Sequence, residues 1–214
     1  MNKHFCMVVV TLFLASIFNN WLFGAETNGG IKPLNVNLSN NTDTALVKNL
    51  RAHAYKKWDL DEINIDKDTL KFVSPDDFFY YPFGKYSNVQ AFALHNQIWG
   101  RPVIKTYTRP DETKLYIFTH LNSSLSVLRN PETGLIELFN ARIANKDVRF
   151  VQPIAVGMDE LNFLQIFFKG ITQSSINGIK MVKVESAITG IWNRYFFTND
   201  RLDHVTFDTD YVFK

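Results

Sequence analysis

Between Leu46 and Trp58, apolar residues recur every fourth position: Leu46, Leu50, Ala54 and Trp58, with Val47 alongside. That spacing lays them on one face of a helix, so 43–58 is predicted as an amphipathic helix capped by Thr42 or Asp43, against an irregular stretch. From Leu70 to Phe139 the pattern becomes short runs of β-branched and aromatic residues. These are TLKFVS (69–74), NVQAFAL (88–94), PVIKTYT (102–108), KLYIFTH (114–120), SLSVLRN (124–130) and LIELFNARI (135–143). Each is predicted as a strand. Turn chemistry separates them at Ser74–Asp77, Arg109–Glu112 and Asn130–Gly134. In the last, Pro131 presets the turn and Gly134 can take a positive φ. After Gly157 the helical period returns in MDELNFLQIFFKG, apolar at 158, 161, 164, 167 and 168, with Asp159 and Glu160 at the start and Gly170 as a stop. Three more strand-like runs close the chain: IKMVKVES, GIWNRYFFT and LDHVTFDT, the last two joined by a turn at TNDR.

Together these elements predict an α+β fold, mainly an antiparallel β-sheet meander with one or two helices. Ile-Trp occurs twice, in QIWGR (97–101) and GIWNR (190–194), 93 residues apart and each behind a Val-containing run. The echo raises the reading of two related modules. Residues 43–146 would form a β-rich module with its N-terminal helix, and 147–214 either a second, smaller α+β module or a continuation of the same sheet. Both Trp99 and Trp192 are expected to be core rings.

The N-terminus changes the picture of where the chain works. Residues 5–18, FCMVVVTLFLASIF, form an apolar run behind Lys3 and His4. This is the shape of a signal peptide over 1–25, with an uncleaved anchor as the rival reading. No other membrane span is expected. Residues 26–42 read as a flexible leader rich in Gly, Asn, Ser and Pro, with one short strand at 34–38 as an option. The single cysteine, Cys6, lies in the apolar run, so the processed chain would hold no disulfide and rely on its core. N-x-[ST] triplets stand at Asn37, Asn40 and Asn122. Without residues 1–25 the chain carries 22 basic and 21 acidic side chains, a balance that does not argue for nucleic acid as partner.

Candidate chemistry is sparse. DLDEINIDKD (59–68) resembles a calcium loop only superficially, because Ile63 and Asn64 occupy the positions that need an oxygen ligand and a glycine. A solvated turn is expected there. His53, His95, His120 and His204 have no partner at metal-ligand spacing, and no glycine-rich phosphate loop exists. Ser123 and Ser124 follow His120, but sequence cannot supply the spatial partners of a triad. No catalytic residue, metal or cofactor is expected. The most aromatic stretch is DDFFYYPFGKY (76–86), whose six rings cannot all alternate inward along a strand. Its rings, with the nearby Trp99 and Arg101, give the candidate binding set Phe79, Tyr80, Tyr81, Phe83, Tyr86, Trp99 and Arg101; the competing reading is an aromatic cluster that seals a sheet edge.

An export signal, alternating short strands, LNVNL (34–38), FVSP (72–75) and NVQAFALHNQIW (88–99) resemble the FAINT domain of secreted proteins from Theileria-type parasites. The resemblance covers about 34–140, with a partial second copy in 147–214. It implies export toward a host cell and no known chemistry, and it carries over no functional residue. The expected role is a secreted or periplasmic, non-enzymatic binding or interaction protein whose partner is a protein or small molecule. It would act at a host interface or, alternatively, as a bacterial periplasmic or surface ligand-binding domain. An envelope hydrolase is the least favoured reading, to be revived by a buried, charge-shifted acid or histidine in a cleft.

Overall fold

The computed structural model describes residues 41–106, 114–186 and 190–210. The predicted signal segment, the leader with its optional strand, Cys6, Asn37, Asn40 and the turn at 109–112 lie outside them.

Among the described residues, nine strands form one sheet in the order β1-β2-β7-β8-β9-β6-β5-β4-β3. They are β1 (Asp61–Asp66), β2 (Thr69–Ser74), β3 (Val103–Thr106), β4 (Lys114–His120), β5 (Ser123–Arg129), β6 (Ile136–Ile143), β7 (Met181–Ser186), β8 (Ile191–Thr198) and β9 (Arg201–Thr209). All neighbours pair antiparallel except β2 and β7, which run parallel in register from Thr69↔Met181 to Ser74↔Ser186. The expected meander exists for β3 to β6. The whole is larger, because the last three strands insert between β2 and β6. Residues after 147 thus continue the same sheet.

Five α-helices among the described residues accompany it: α1 (Asn41–His53), α2 (Asp77–Tyr80), α3 (Val89–His95), α4 (Glu160–Phe167) and α5 (Gln173–Ile176). The α1 helix starts before both proposed caps and stops at His53, short of the predicted 58. Ala54 then bridges Phe168, and the Tyr55 N–H donates to the Phe167 carbonyl at 2.9 Å. Trp58 still reaches the core from a single 3₁₀ turn, its indole N–H donating to the Ile166 carbonyl at 2.7 Å.

Two expectations are corrected. NVQAFAL is helix α3, not a strand. Asn88 caps it by accepting from the Ala91 N–H at 2.8 Å, and Val89, Phe92 and Ala93 then turn inward with helical spacing. A short run of Ala, Leu and Gln has enough helix propensity for the cap to decide. DLDEINIDKD is not a solvated turn. Residues 61–66 form edge strand β1, with Ile63 buried, and only the tight turn at Lys67-Asp68 separates it from β2.

The sheet has two unlike faces. Across it, Phe72, Val184, Asn193, Phe207, Ala141, Leu125 and Phe118 stand in one cross-strand row, all buried. The helices cover this face. Phe79 and Phe167 pack on Phe72, Phe163 on Tyr195, and Phe92 on Phe118. The next row faces the other way: Lys71, Lys183, Arg194, Thr206, Arg142 and Ser124. Like charges opposite one another are unfavourable, and carboxylates relieve three of them: Asp66 on Lys71 at 2.6 Å, Glu185 on Lys183 at 3.7 Å, and Asp208 on Arg194.

The two Ile-Trp sites occupy unrelated settings. Trp99 ends a helical segment and is 2% exposed, against Phe83. Trp192 lies in β8 on the charged face, half-buried, with the Lys183 ammonium 5.9 Å from its ring centre. The echo therefore does not mark a repeat, and Trp192 is not a core ring.

These positions predict different costs. Phe167→Ala removes a fully buried ring that touches Trp58, Phe72 and Phe79. It is expected to cost about 3–5 kcal/mol in urea unfolding. Trp192→Ala is expected to cost under about 1 kcal/mol. Equal losses would contradict this assignment of the faces.

Candidate functional site

The aromatic set does not form an open site. Asp76 caps α2 by accepting from the Phe78 N–H at 2.8 Å, so Phe78 and Phe79 leave a helical turn rather than alternating along a strand. Both are buried, with ring centres 6.1 Å from that of Trp58. Phe83 falls into a second cluster with Phe92, Trp99, Phe150 and Phe207. Tyr80, Tyr81 and Tyr86 are half-buried and only Arg101 is exposed. The Tyr81 hydroxyl approaches Glu137 at 3.5 Å, and its pKa is raised by burial and then by that carboxylate. Tyr86 stacks on His95 at 5.4 Å. The cavity beside Tyr80, Tyr81 and Phe83 measures about 10 Å³, room for a single water rather than a ligand. Helical backbone let the rings diverge into two core clusters, an option the strand reading had excluded.

Other sequence candidates resolve into structure. Asp77 pairs with Lys85 at 2.6 Å. Ser123 is buried, and its hydroxyl accepts from the Ala144 and Asn145 N–H groups, both at 2.9 Å, so it braces a loop. His204 stacks on Phe196 at 4.4 Å and meets Asp203 at 2.7 Å on the charged face of the sheet. Asn122 is exposed. Among the described residues, no three metal-ligating side chains converge and no helix is long and apolar enough to cross a membrane.

A cleft that holds an unusual acid lies elsewhere, where the start of α4 meets the β8–β9 turn. Asn199 and Asp200 both take positive φ, 51° and 58°, making a tight two-residue hairpin. The turn docks on the helix: the Glu160 N–H donates to the Asp200 carbonyl at 2.8 Å, and the backbones of Asp159 and Arg201 pair as a single antiparallel β-bridge. Beside this junction opens a cleft of about 550 Å³, lined by Glu160, Gly178, Ile179, Lys180, Phe197, Thr198, Asn199 and Asp200. That volume suits a small ligand. Ile179 and Phe197 supply apolar wall; Lys180, Asn199 and Asp200 are exposed.

Glu160 is the unusual member. It is 3% exposed, and its Oε1 has no hydrogen-bond partner. The reason is local. Asp159 Oδ1 already accepts from the Leu161 and Asn162 N–H groups, the Asp159 carbonyl takes that of Phe163, and Asp200 takes that of Glu160 itself. All four donors of the first helical turn are spent. Burial first, then the Asp200 and Asp159 charges, push the Glu160 carboxyl up to about 7. Arg201 does not relieve it, since its guanidinium donates to the Gly157 carbonyl at 3.0 Å. Sequence had marked Glu160 only as a helix-start acid. Its burial arises from a turn 40 residues downstream, which no local pattern announces.

A raised native pKa means the fold holds this proton more tightly than the unfolded chain does. The stability so gained is complete below about pH 4.5 and is lost as pH rises through about 7. Glu160→Gln should therefore leave melting at pH 4 nearly unchanged and raise stability at pH 8, by up to roughly 3 kcal/mol. A variant whose pH profile parallels that of the parent would show that Glu160 is not the titrating group.

Compared with known proteins, the chain matches no family model, no curated protein and no solved structure.

Proposed function

We propose that this chain is an exported binding protein rather than a catalyst, and that the cleft at the junction of α4 with the β8–β9 turn seats a small ligand. One observation carries the proposal: a buried carboxylate without a partner lines a cleft of about 550 Å³. Buried polar atoms are nearly always paired, so an orphan beside a cavity is what a recognition site leaves when its ligand is absent. The cleft favours a ligand-binding role over one confined to protein contacts. The apolar run at 5–18 supports work outside the cell that makes the protein, and the FAINT-like features support a host interface as that place.

A second reading has a specific observation in its favour. A carboxyl held near pH 7 in a cleft is the poise of a general acid–base group, which returns the hydrolase reading to view. Binding is preferred because the only hydroxyl among the lining side chains, Thr198, has no histidine beside it on that wall to act as base.

Two measurements test these statements. In a thermal-shift screen of small polar compounds against the full chain, hits should lose their effect in Thr198→Trp, which fills the exposed mouth of the cleft. Hits that survive this change, or a screen without hits, would overturn the cleft as the seat. N-terminal sequencing of the protein recovered outside expressing cells should read from near Glu26. Retention in the cell with an intact N-terminus would overturn export.

A further inference from the structure

Resting on the cleft reading above, we infer that the ligand is a compact organic amine, its ammonium donating to Glu160 and its carbon frame lying along Ile179 and Phe197. The argument starts from what each wall can offer. When Glu160 is ionised the orphan atom is a carboxylate oxygen, which only accepts, so the partner of that form must carry an N–H or O–H. Asp200 lines the same cleft and Asp159 is adjacent in sequence, so the neighbourhood of that oxygen is negative. A neutral donor would satisfy the oxygen but leave that charge unanswered. A cation does both, and charge-assisted hydrogen bonds are the stronger kind.

No cation among the described residues hydrogen-bonds to that oxygen. Among the charged groups around Glu160, Asp159 and Asp200 carry the wrong sign, Arg201 is committed to the Gly157 carbonyl, and Lys180 is an exposed lining residue. The remaining wall sets the rest of the molecule. Ile179 and Phe197 are apolar and 5% and 7% exposed, so a hydrocarbon frame meets them without stranding a polar group. A metal ion fits less well, because no three ligating side chains converge among the described residues. The same ammonium could arrive on a free amine or on a lysine side chain of a peptide.

Three probes of one carbon length separate the head group from the frame: pentylamine, pentan-1-ol and pentanoate, titrated into the full-length protein while the amide signals of Gly178, Ile179 and Thr198 are followed by NMR. Pentylamine should move these signals, with an affinity at least tenfold above the other two. Its affinity should fall about tenfold from pH 8 to pH 6 as Glu160 takes up its proton. Glu160→Gln should abolish the response, and because this variant is expected to be at least as stable as the parent, loss of fold will not mimic loss of binding. Asp200→Asn, isosteric at a positive-φ position that asparagine tolerates, should weaken it several-fold. A lysine-containing pentapeptide with blocked termini distinguishes the sources. Binding tighter than pentylamine assigns the ammonium to a peptide, and weaker binding assigns it to a free amine. Equal response to the alcohol, or an undiminished response in Glu160→Gln, would overturn the amine assignment. If only the alcohol or pentanoate moves the signals, the cleft stands and the amine falls; if none does, both fall.

Discussion

The pairing of β2 with β7 is the constraint on which the rest of the fold depends. It is the one parallel ladder in the sheet, and the chain between its two strands contains the whole β3–β6 meander and helices α2 to α5. An antiparallel pair can close through a two-residue turn, whereas a parallel pair needs a long crossover. Here the crossover takes 106 of the 214 residues. The ladder places Phe72 beside Val184 and Leu70 beside Val182, so the N-terminal hairpin and the C-terminal strands share one buried face. The antiparallel β7–β8 ladder then sets the Gly178–Lys180 segment alongside the end of β8, where the cleft opens, with the Phe197 N–H donating to the Lys180 carbonyl at 2.8 Å. Without that register the N-terminal hairpin would lose the buried face it shares with the C-terminal strands.

What could be read from the sequence was what neighbouring residues decide. The Asn130–Gly134 hairpin has its expected chemistry: Asn130 Oδ1 accepts from the Glu132 N–H at 2.8 Å, and Gly134 takes φ +70°. The α4 helix runs from its Asp159 cap to within three residues of Gly170, and eight of the nine strand-like runs among the described residues became strands or parts of strands. The failures share a cause. NVQAFAL alternates as well as it turns, and only the Asn88 side chain, with Phe118 waiting on β4, made it a helix. The aromatic run at 76–86 looked too dense to bury because it was read on a strand. The Glu160 site could not be found at all, since it depends on α4 and the β8–β9 turn meeting in space.

The two buried polar side chains nearest this argument behave differently. Asn193 interrupts the apolar row of the covered face, 1% exposed, but its Nδ2 donates to the Phe79 carbonyl at 3.1 Å. A buried amide there fixes where α2 sits on the sheet, and its place in the core has a structural account. The Asn193 Oδ1 and the neighbouring Tyr195 hydroxyl are also buried without a partner, but both side chains are uncharged: the amide does not titrate, and burial raises the phenol's pKa far beyond the working range. Glu160 has no such account. Its oxygen stabilises no loop, caps no helix and pairs with no cation among the described residues.

The size of the effects sharpens that contrast. A carboxylate in the first turn of a helix normally gains about 0.3–1 kcal/mol from the macrodipole, which lowers its pKa. At Glu160 the shift runs the other way, from 4.5 to about 7. Burial and two neighbouring acids therefore overcome the helix terminus, at a cost of roughly 3 kcal/mol whenever the group is ionised. That is a large part of the stability of an ordinary domain. Glutamine has nearly the same shape and would remove the charge. The fold carries the acid nonetheless, in a position where every local donor is already engaged, and that uncompensated cost is the ground on which the proposed ligand rests.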